Sequence, residues 1–185
     1  AYIRDRDVKG TLGAVAAAVL AFAYTGVVIG FLLAIRREQG VWVMASVVLV
    51  IKLCDIGALF TGLAIGKHKL IEWISPKKTW EGFVGGVLTS GVAAVVLLLI
   101  ARSAGESAAS ESLRAMPLWL AGVLGVVLGA AGQAGDLSES VLKRDAGMKD
   151  SGRIVPGFGG VVDVLDSLVL AGPLAYWGLM AASWV

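Results

Sequence analysis

The chain alternates between long apolar runs and short polar segments, and the runs are long enough to cross a membrane. An α-helix needs about 20 apolar residues to span the hydrocarbon core of a bilayer. The five apolar runs lie at residues 12–35, 41–65, 83–101, 117–134 and 161–185. This pattern predicts an all-α, polytopic membrane protein with about five transmembrane helices, in which residues 1–185 form a single integral-membrane domain.

The composition supports this class of protein. Hydrophobic residues make up 57% of the 185 residues and charged residues 16%, whereas a soluble domain carries roughly 25% charged residues. The one cysteine, Cys54, excludes an internal disulfide, and the one histidine, His68, excludes a histidine-rich metal site. We interpret both residues as structural or incidental. Because the chain begins at Ala1 without a signal-peptide pattern, we expect it to be the C-terminal part of a longer protein.

Basic residues are distributed unevenly among the polar segments, and this predicts the orientation in the membrane. The N-terminal segment and segments 66–82 and 140–160 together hold eleven Lys and Arg, whereas the other two connections hold four. Basic segments tend to stay in the cytoplasm. We therefore expect cytoplasmic polar loops in a bacterial inner membrane or an equivalent membrane, so that an active site built from these loops would face the cytoplasm.

The end of the fourth apolar run combines glycines with charged residues. Asp136, Glu139 or Ser140, and Lys143 are spaced so that they share one face of a continuous helix. A solvated, salt-bridged helix end is the ordinary alternative. Upstream, glycines at positions 122, 125, 129 and 132 form a stripe where another helix can approach closely.

Two further carboxylates enter the fifth run. Asp163 and Asp166 are three residues apart, and acidic residues are common in the first turns of helices because they favour the helix dipole. A charge inside a membrane span is costly, however. The pair therefore indicates a cation held between these carboxylates and Asp136.

A glycine-rich turn at residues 156–160 precedes the fifth run. Such a turn can present backbone N–H groups to a phosphate, although glycine turns between helices are common. Lys143, Arg144 and Lys149 lie shortly before it. Carboxylates for a metal, cations for phosphates and a glycine turn are together typical of phosphoryl-type transfer.

Residues 75–82 have the pattern of a helix start, with Ser75 as the N-cap and Pro76 at the first helical position. Lys77 and Lys78 would then lie in the first turn. We interpret them as an anion site for a phosphate, and anchoring to anionic lipid is the alternative.

Lys52 and Asp55 are three residues apart inside the second run. An intramembrane charge needs a partner, so we expect a structural ion pair for Lys52. For Asp55, which lies nearer the cytoplasmic end, we expect a place in the site.

The polar segments resemble the phosphatidate cytidylyltransferase (CDP-diacylglycerol synthase) family. Blocks 55–58, 66–69, 75–82 and 135–140 are similar to family motifs. The positions that match the family signature are Ser140, Lys143, Arg144, Lys149, Asp150, Pro156, Gly159, Gly160, Asp163 and Asp166. Phe158 and Val164 stand where the signature has His and Arg, so a mechanism that uses that His as a base is not carried over.

The resemblance implies transfer of CMP from CTP to phosphatidate, giving CDP-diacylglycerol and pyrophosphate, with catalytic segments at 52–82 and 133–167. Asp136 and Asp163, with help from Asp166, would hold Mg²⁺ beside a second, monovalent or divalent, cation. The residues with catalytic roles would be Asp136, Asp163, Lys143, Arg144 and Lys149. The substrate-binding residues would be Asp55, Ser75, Lys77, Lys78, Ser140, Asp150, Gly159 and Gly160.

The partners implied are CTP, phosphatidic acid and membrane lipids, without nucleic acid, and the family and the glycine stripe allow a homodimer. Three alternatives remain open. The protein could be a cytidylyltransferase for another lipid phosphate. It could be an ion-coupled membrane transporter, because Lys52, Asp55 and the acidic site suit an ion pathway. It could also be a relative without catalysis, given Phe158 and Val164.

Overall fold

Six helices and two strands make up the computed structural model, which describes residues 11–104, 110–145 and 161–182, without the side chains of 112 and 161–164. The helices are α1 (Thr11–Gln39), α2 (Val41–Ile65), α3 (Trp80–Ala104), α4 (Glu111–Ala115), α5 (Leu118–Asp145) and α6 (Val161–Ala182), and the strands are β1 (Lys69–Ile71) and β2 (Ser75–Thr79). Five of these helices are long and apolar enough to cross a membrane. The predicted polytopic all-α architecture is confirmed, with one short hairpin added.

The five long helices pack in a closed ring, in the order α1, α2, α3, α5, α6 and back to α1. Buried apolar side chains, among them Ile51, Leu128 and Leu168, fill the interior. Large apolar side chains also cover the outside, such as Phe22 and Leu88. A surface of this kind is expected where lipid rather than water surrounds a helix bundle.

The predicted glycine stripe on α5 is where α5 approaches its neighbours. A Cβ atom on Gly125 would lie 2.6 Å from the backbone oxygen of Ser90 on α3, and one on Gly129 would lie 3.1 Å from the Cys54 sulfur on α2. Gly135 extends the stripe, since a Cβ there would lie 2.5 Å from the backbone oxygen of Asp166 on α6. The stripe is thus used within one chain, so it no longer argues for a homodimer.

The prediction that Ser75 starts the third helix is wrong. Residues Ser75–Thr79 form β2, which pairs antiparallel with β1, and Ile71 is the partner of Ser75 in that register. The helix begins at Trp80, where the Thr79 hydroxyl accepts a hydrogen bond from the Gly82 N–H at 3.1 Å, the role of an N-cap side chain. Pro76 fits β2 because neither strand of this hairpin lies in the middle of a sheet.

The hairpin marks one end of the bundle, which we call the hairpin end. Because successive long helices run in opposite directions, α2 and α5 finish at this end, and α1, α3 and α6 begin there. At the opposite end Gly40 joins α1 to α2 with φ 92°, a left-handed conformation that favours glycine. The ends of α2 and α5 and the starts of α3 and α6 therefore lie at the same end of the bundle.

Candidate functional site

Three carboxylates from two helices converge near the hairpin end. Asp136 and Glu139 lie on α5, and Asp166 lies on α6. One oxygen from each lies within 4.8 Å of the others. The Glu139 and Asp166 residues are only 3% and 6% exposed, and the close approach at Gly135 brings the two helices together here. The structure thus concentrates negative charge at a largely buried point.

This donor set fits a hard divalent cation such as Mg²⁺. Mg²⁺ binds oxygen ligands at about 2.0–2.1 Å in octahedral geometry, so that opposite ligands are about 4.2 Å apart. The three oxygens lie within 4.8 Å of one another, whereas adjacent ligands of an octahedral Mg²⁺ ion are about 3 Å apart, so the three side chains would have to move closer together around the ion. Carboxylates buried together in this way need a cation to balance them.

The hairpin supplies one such cation from Lys78. Its Nζ lies 2.7 Å from Oδ2 of Asp136, and the two side chains are 20% and 33% exposed. Residues alternate between the two sides of a strand, so that Lys77 next to it is exposed on the hairpin surface. The sequence predicted the same role for both lysines, but in the structure Lys78 contacts the carboxylate cluster and Lys77 is exposed.

The end of α5 carries the predicted basic residues. Lys143 lies on the same face as the cluster, with its Nζ 2.6 Å from Oε2 of Glu139. Arg144 lies on the hairpin side, where its Nε donates a hydrogen bond to the Ile74 carbonyl at 3.4 Å. Ser140, half-buried, lies next to Glu139 on this helix. A second lysine therefore borders the carboxylates, and Arg144 connects α5 to the hairpin.

The predicted intramembrane ion pair is confirmed. Lys52 lies with its Nζ 3.4 Å from Oδ2 of Asp55, and it donates a hydrogen bond to the Ser167 hydroxyl at 2.7 Å. Ser167 is fully buried, and its N–H donates to Oδ1 of Asp166. Lys52 therefore connects α2 to Ser167 on α6, the residue that follows Asp166 of the carboxylate cluster.

Two residues interpreted as structural have structural contacts. The Nδ1 atom of His68 lies 2.6 Å from Oε1 of Glu81, and Glu81 also accepts hydrogen bonds from the backbone N–H groups of Lys67 and His68. These contacts hold the start of α3 against the hairpin. Cys54 is buried and free, and its sulfur accepts a hydrogen bond from Gln133 at 3.5 Å.

The described residues include some of the predicted site residues and leave out others. Lys149, Asp150, Gly159 and Gly160 lie outside the described residues, as does Phe158. Asp163 lies on α6, one turn before Asp166, and its side chain is not described. Ser75 is half-buried at the start of β2.

Sequence reasoning did not assign Glu139 to the metal. The signal was available, because Glu139 is three residues from Asp136 and so shares its helix face. The link from Lys52 to Ser167 had no such signal, since 115 residues separate the two positions.

Comparisons with known proteins show the family to which the chain belongs. A sequence profile described as "Cytidylyltransferase family" matches residues 3–181. The chain is 40% identical over 157 residues to the phosphatidate cytidylyltransferase of Staphylococcus saprophyticus, covering 84% of this chain and 55% of that protein. It is 38% identical to the proteins of that name from Staphylococcus haemolyticus and Staphylococcus aureus, at the same coverage. The chain thus spans about half the length of the curated relatives it matches.

Proposed function

Because the chain belongs to the cytidylyltransferase family, we propose that the protein containing it transfers CMP from CTP to phosphatidate, giving CDP-diacylglycerol and pyrophosphate. The observation that carries this proposal is the cluster of Asp136, Glu139 and Asp166, bordered by lysines at one end of a membrane bundle. The names of the Staphylococcus relatives support phosphatidate as the acceptor. Both substrates are anionic, so a site for them needs cations.

We propose Mg²⁺ as that cation, held by Asp136, Glu139 and Asp166. Asp163, one turn before Asp166 on α6, would be a further ligand, and a second cation would lie beside it. When bound, Mg²⁺ supplies neutralisation of the triphosphate charge and polarisation of its phosphorus–oxygen bonds.

The residues of the chain then bind and orient the phosphates. An oxygen of the phosphatidate phosphate attacks the α-phosphorus of CTP, a new phosphorus–oxygen bond forms, and the bond from that phosphorus to the pyrophosphate oxygen breaks. Lys143 and Lys78 would stabilise the charge on the phosphates, since preorganised charges are effective in partly buried sites. The attacking oxygen is already anionic, so the mechanism requires no general base.

We propose that the site lies at the cytoplasmic face of the membrane. The hairpin end carries basic residues on the hairpin and at the end of α5, among them Lys69, Lys77 and Lys143, and basic segments favour the cytoplasm. CTP is found on that side, and the apolar outer surface of the bundle gives a membrane lipid a route to the same end. Arg144 and Lys149 would contribute to the positive surface there.

The test is incorporation of label from CTP into lipid. The full-length protein, in liposomes with Mg²⁺ and phosphatidate, is expected to transfer label from α-labelled CTP to the lipid phase. Asp166→Asn is expected to reduce the rate at least 100-fold, because it removes a proposed metal ligand. The control, Asp145→Asn, changes an exposed carboxylate at the end of α5 and should keep most of the activity.

The other functions considered predict different results. A cytidylyltransferase for another lipid phosphate would bind CTP and transfer label only when phosphatidate is replaced by its own acceptor. A transporter would have no need of CTP. Label transfer that is equal in wild type and in Asp166→Asn would refute the metal assignment.

A further inference from the structure

Tyr24 on α1 has a buried polar atom that the proposed mechanism does not use. Its ring packs against the apolar core, and its hydroxyl oxygen is buried without a hydrogen-bond partner among the residues that the structure describes. By contrast, the neighbouring Thr25 hydroxyl donates to the Ala21 carbonyl at 2.8 Å. Burying an unpaired hydroxyl costs free energy, and phenylalanine would fill the same space without that cost.

Tyr24 lies on α1 at about the level of Asp166 on α6. The two helices pack together, and Phe31, seven residues after Tyr24, meets α6 at Gly172, six residues after Asp166. The charged groups that act on the Tyr24 hydroxyl electrostatically are Glu139, Asp166, Asp136 and Lys143. All of these lie on α5 or α6, so Tyr24 adds a third helix to the surroundings of the cluster. Tyr24 is thus a polar residue of α1 near the charged groups of the candidate site.

The carboxylates of the cluster already have partners other than Tyr24. The pairs are Asp136 with Lys78, Glu139 with Lys143, and Asp166 with the Ser167 N–H. A phenol hydroxyl is a hydrogen-bond donor, and a ligand that brings its own acceptor oxygens would supply the missing partner. Phosphate oxygens are such acceptors.

We propose that the Tyr24 hydroxyl donates a hydrogen bond to a phosphate oxygen of a bound substrate. This inference rests on the proposed function, in which both CTP and phosphatidate carry phosphates. A neutral donor can hold a phosphate oxygen without adding another ammonium to a site whose carboxylates must still bind a cation. Tyr24 is then a substrate-binding residue, and the source of the phosphate, nucleotide or lipid, is open to experiment.

The experiment compares Tyr24→Phe with Tyr176→Phe in the full-length protein. Tyr176 is a matched control for two reasons. Its hydroxyl already donates a hydrogen bond to Glu38 at 3.1 Å, and the residue lies ten positions after Asp166 on α6, about 15 Å from it. We would measure the KM for CTP and for phosphatidate, the equilibrium binding of CTP and of a short-chain phosphatidate, and the melting temperature.

Tyr24→Phe is expected to weaken binding of one substrate about tenfold or more, as for the loss of a hydrogen bond to a charged group. A higher KM for CTP alone would identify the nucleotide, and a higher KM for phosphatidate alone would identify the lipid. The melting temperature should stay the same or rise, because an unpaired hydroxyl has been removed. Tyr176→Phe should leave both KM values unchanged.

Other outcomes would overturn the inference. Binding of both substrates within twofold of wild type would show that the hydroxyl touches no substrate phosphate. A lower melting temperature without any change in binding would show a structural partner instead. An active wild type with a normal Tyr24→Phe variant refutes only this inference, whereas a wild type that binds neither substrate refutes the proposed function as well.

Discussion

Replacing Lys78 by methionine tests whether this lysine of the hairpin binds a substrate or only stabilises the fold. In the structure its Nζ lies 2.7 Å from Oδ2 of Asp136. If a divalent cation bound Asp136, as proposed, that carboxylate would no longer need the ammonium, and Lys78 would become available to the phosphates of the nucleotide. Lys78→Met should therefore lower kcat/KM for CTP and, at the same time, lower the Mg²⁺ concentration needed for half-maximal activity.

The size of the effect follows from the geometry. Two unit charges 2.7 Å apart attract by about 6 kcal/mol at an effective dielectric constant of about 20. Desolvation of the ammonium offsets most of this attraction. Hydrogen bonds to charged groups contribute about 1.5–3 kcal/mol in net terms, which corresponds to a loss of roughly 10- to 150-fold in kcat/KM.

The assay is label transfer from CTP to lipid at several Mg²⁺ concentrations. Lys67→Met is the control, because Lys67 is an exposed lysine between the end of α2 and the hairpin. The activity of this variant should stay within about threefold of wild type. Lys77→Met is an informative comparison. Since the Lys77 side chain is exposed on the hairpin, it should lose less activity than Lys78→Met.

Two results would contradict this reasoning. If Lys78→Met kept normal kcat/KM but melted at a lower temperature, Lys78 would have only a structural role. If the variant needed more Mg²⁺ instead of less, the ammonium would not compete with the cation for Asp136.

Three further variants test the rest of the site. Glu139→Gln should raise the Mg²⁺ requirement at least tenfold, whereas Glu111→Gln on α4 should not, and equal Mg²⁺ titrations would exclude Glu139 as a ligand. Gly135→Ala should destabilise the protein by about 1–3 kcal/mol through overpacking, because its Cβ would lie 2.5 Å from the Asp166 backbone oxygen. In the control, Gly122→Ala, the new Cβ would have its nearest atom at 3.4 Å, so this variant should melt at the wild-type temperature or above. Identical melting temperatures for the two variants would contradict the close contact of α5 and α6 at Gly135. Lys52→Met should lower the free energy of unfolding by more than the roughly 1 kcal/mol expected for an exposed ion pair and by less than the roughly 3–5 kcal/mol expected when a buried pair is broken. In a thermal unfolding assay, Lys52→Arg should recover part of that loss.

The sequence was sufficient to predict the membrane helices because apolar length determines them. The fourth run was predicted to end near residue 134, but the sequence also placed Asp136 and Lys143 on a continuation of the same helix, and α5 does reach Asp145. The hairpin was not predicted. The Ser75-Pro76 pattern is locally the same at a helix start and in a strand, and pairing with residues 69–71 decides between them.

The sequence predicted a cluster of carboxylates, and the structure shows one whose members are only partly those predicted. Spacing placed Asp136 and either Glu139 or Ser140 on one helix face. The rotation of α5 relative to α6 selects Glu139, and that rotation depends on backbone contact at Gly135. Likewise, spacing could not separate Lys77 from Lys78, because their separation depends on the alternation of a strand.

The balance of charge explains why an acidic cluster can exist inside this bundle. The carboxylates are Asp55, Asp136, Glu139 and Asp166, and the lysines in contact with them or with a neighbouring residue are Lys52, Lys78 and Lys143. Before any ligand binds, the described charges are thus close to balanced, which reduces the cost of placing them in a membrane protein.

A divalent cation would turn this balance into an excess of positive charge, and an anionic nucleotide would restore it. Under the proposed function, metal and nucleotide should therefore bind more tightly together than alone. Because such coupling is reciprocal, each substrate phosphate held by the lysines would also strengthen the binding of the metal by the carboxylates.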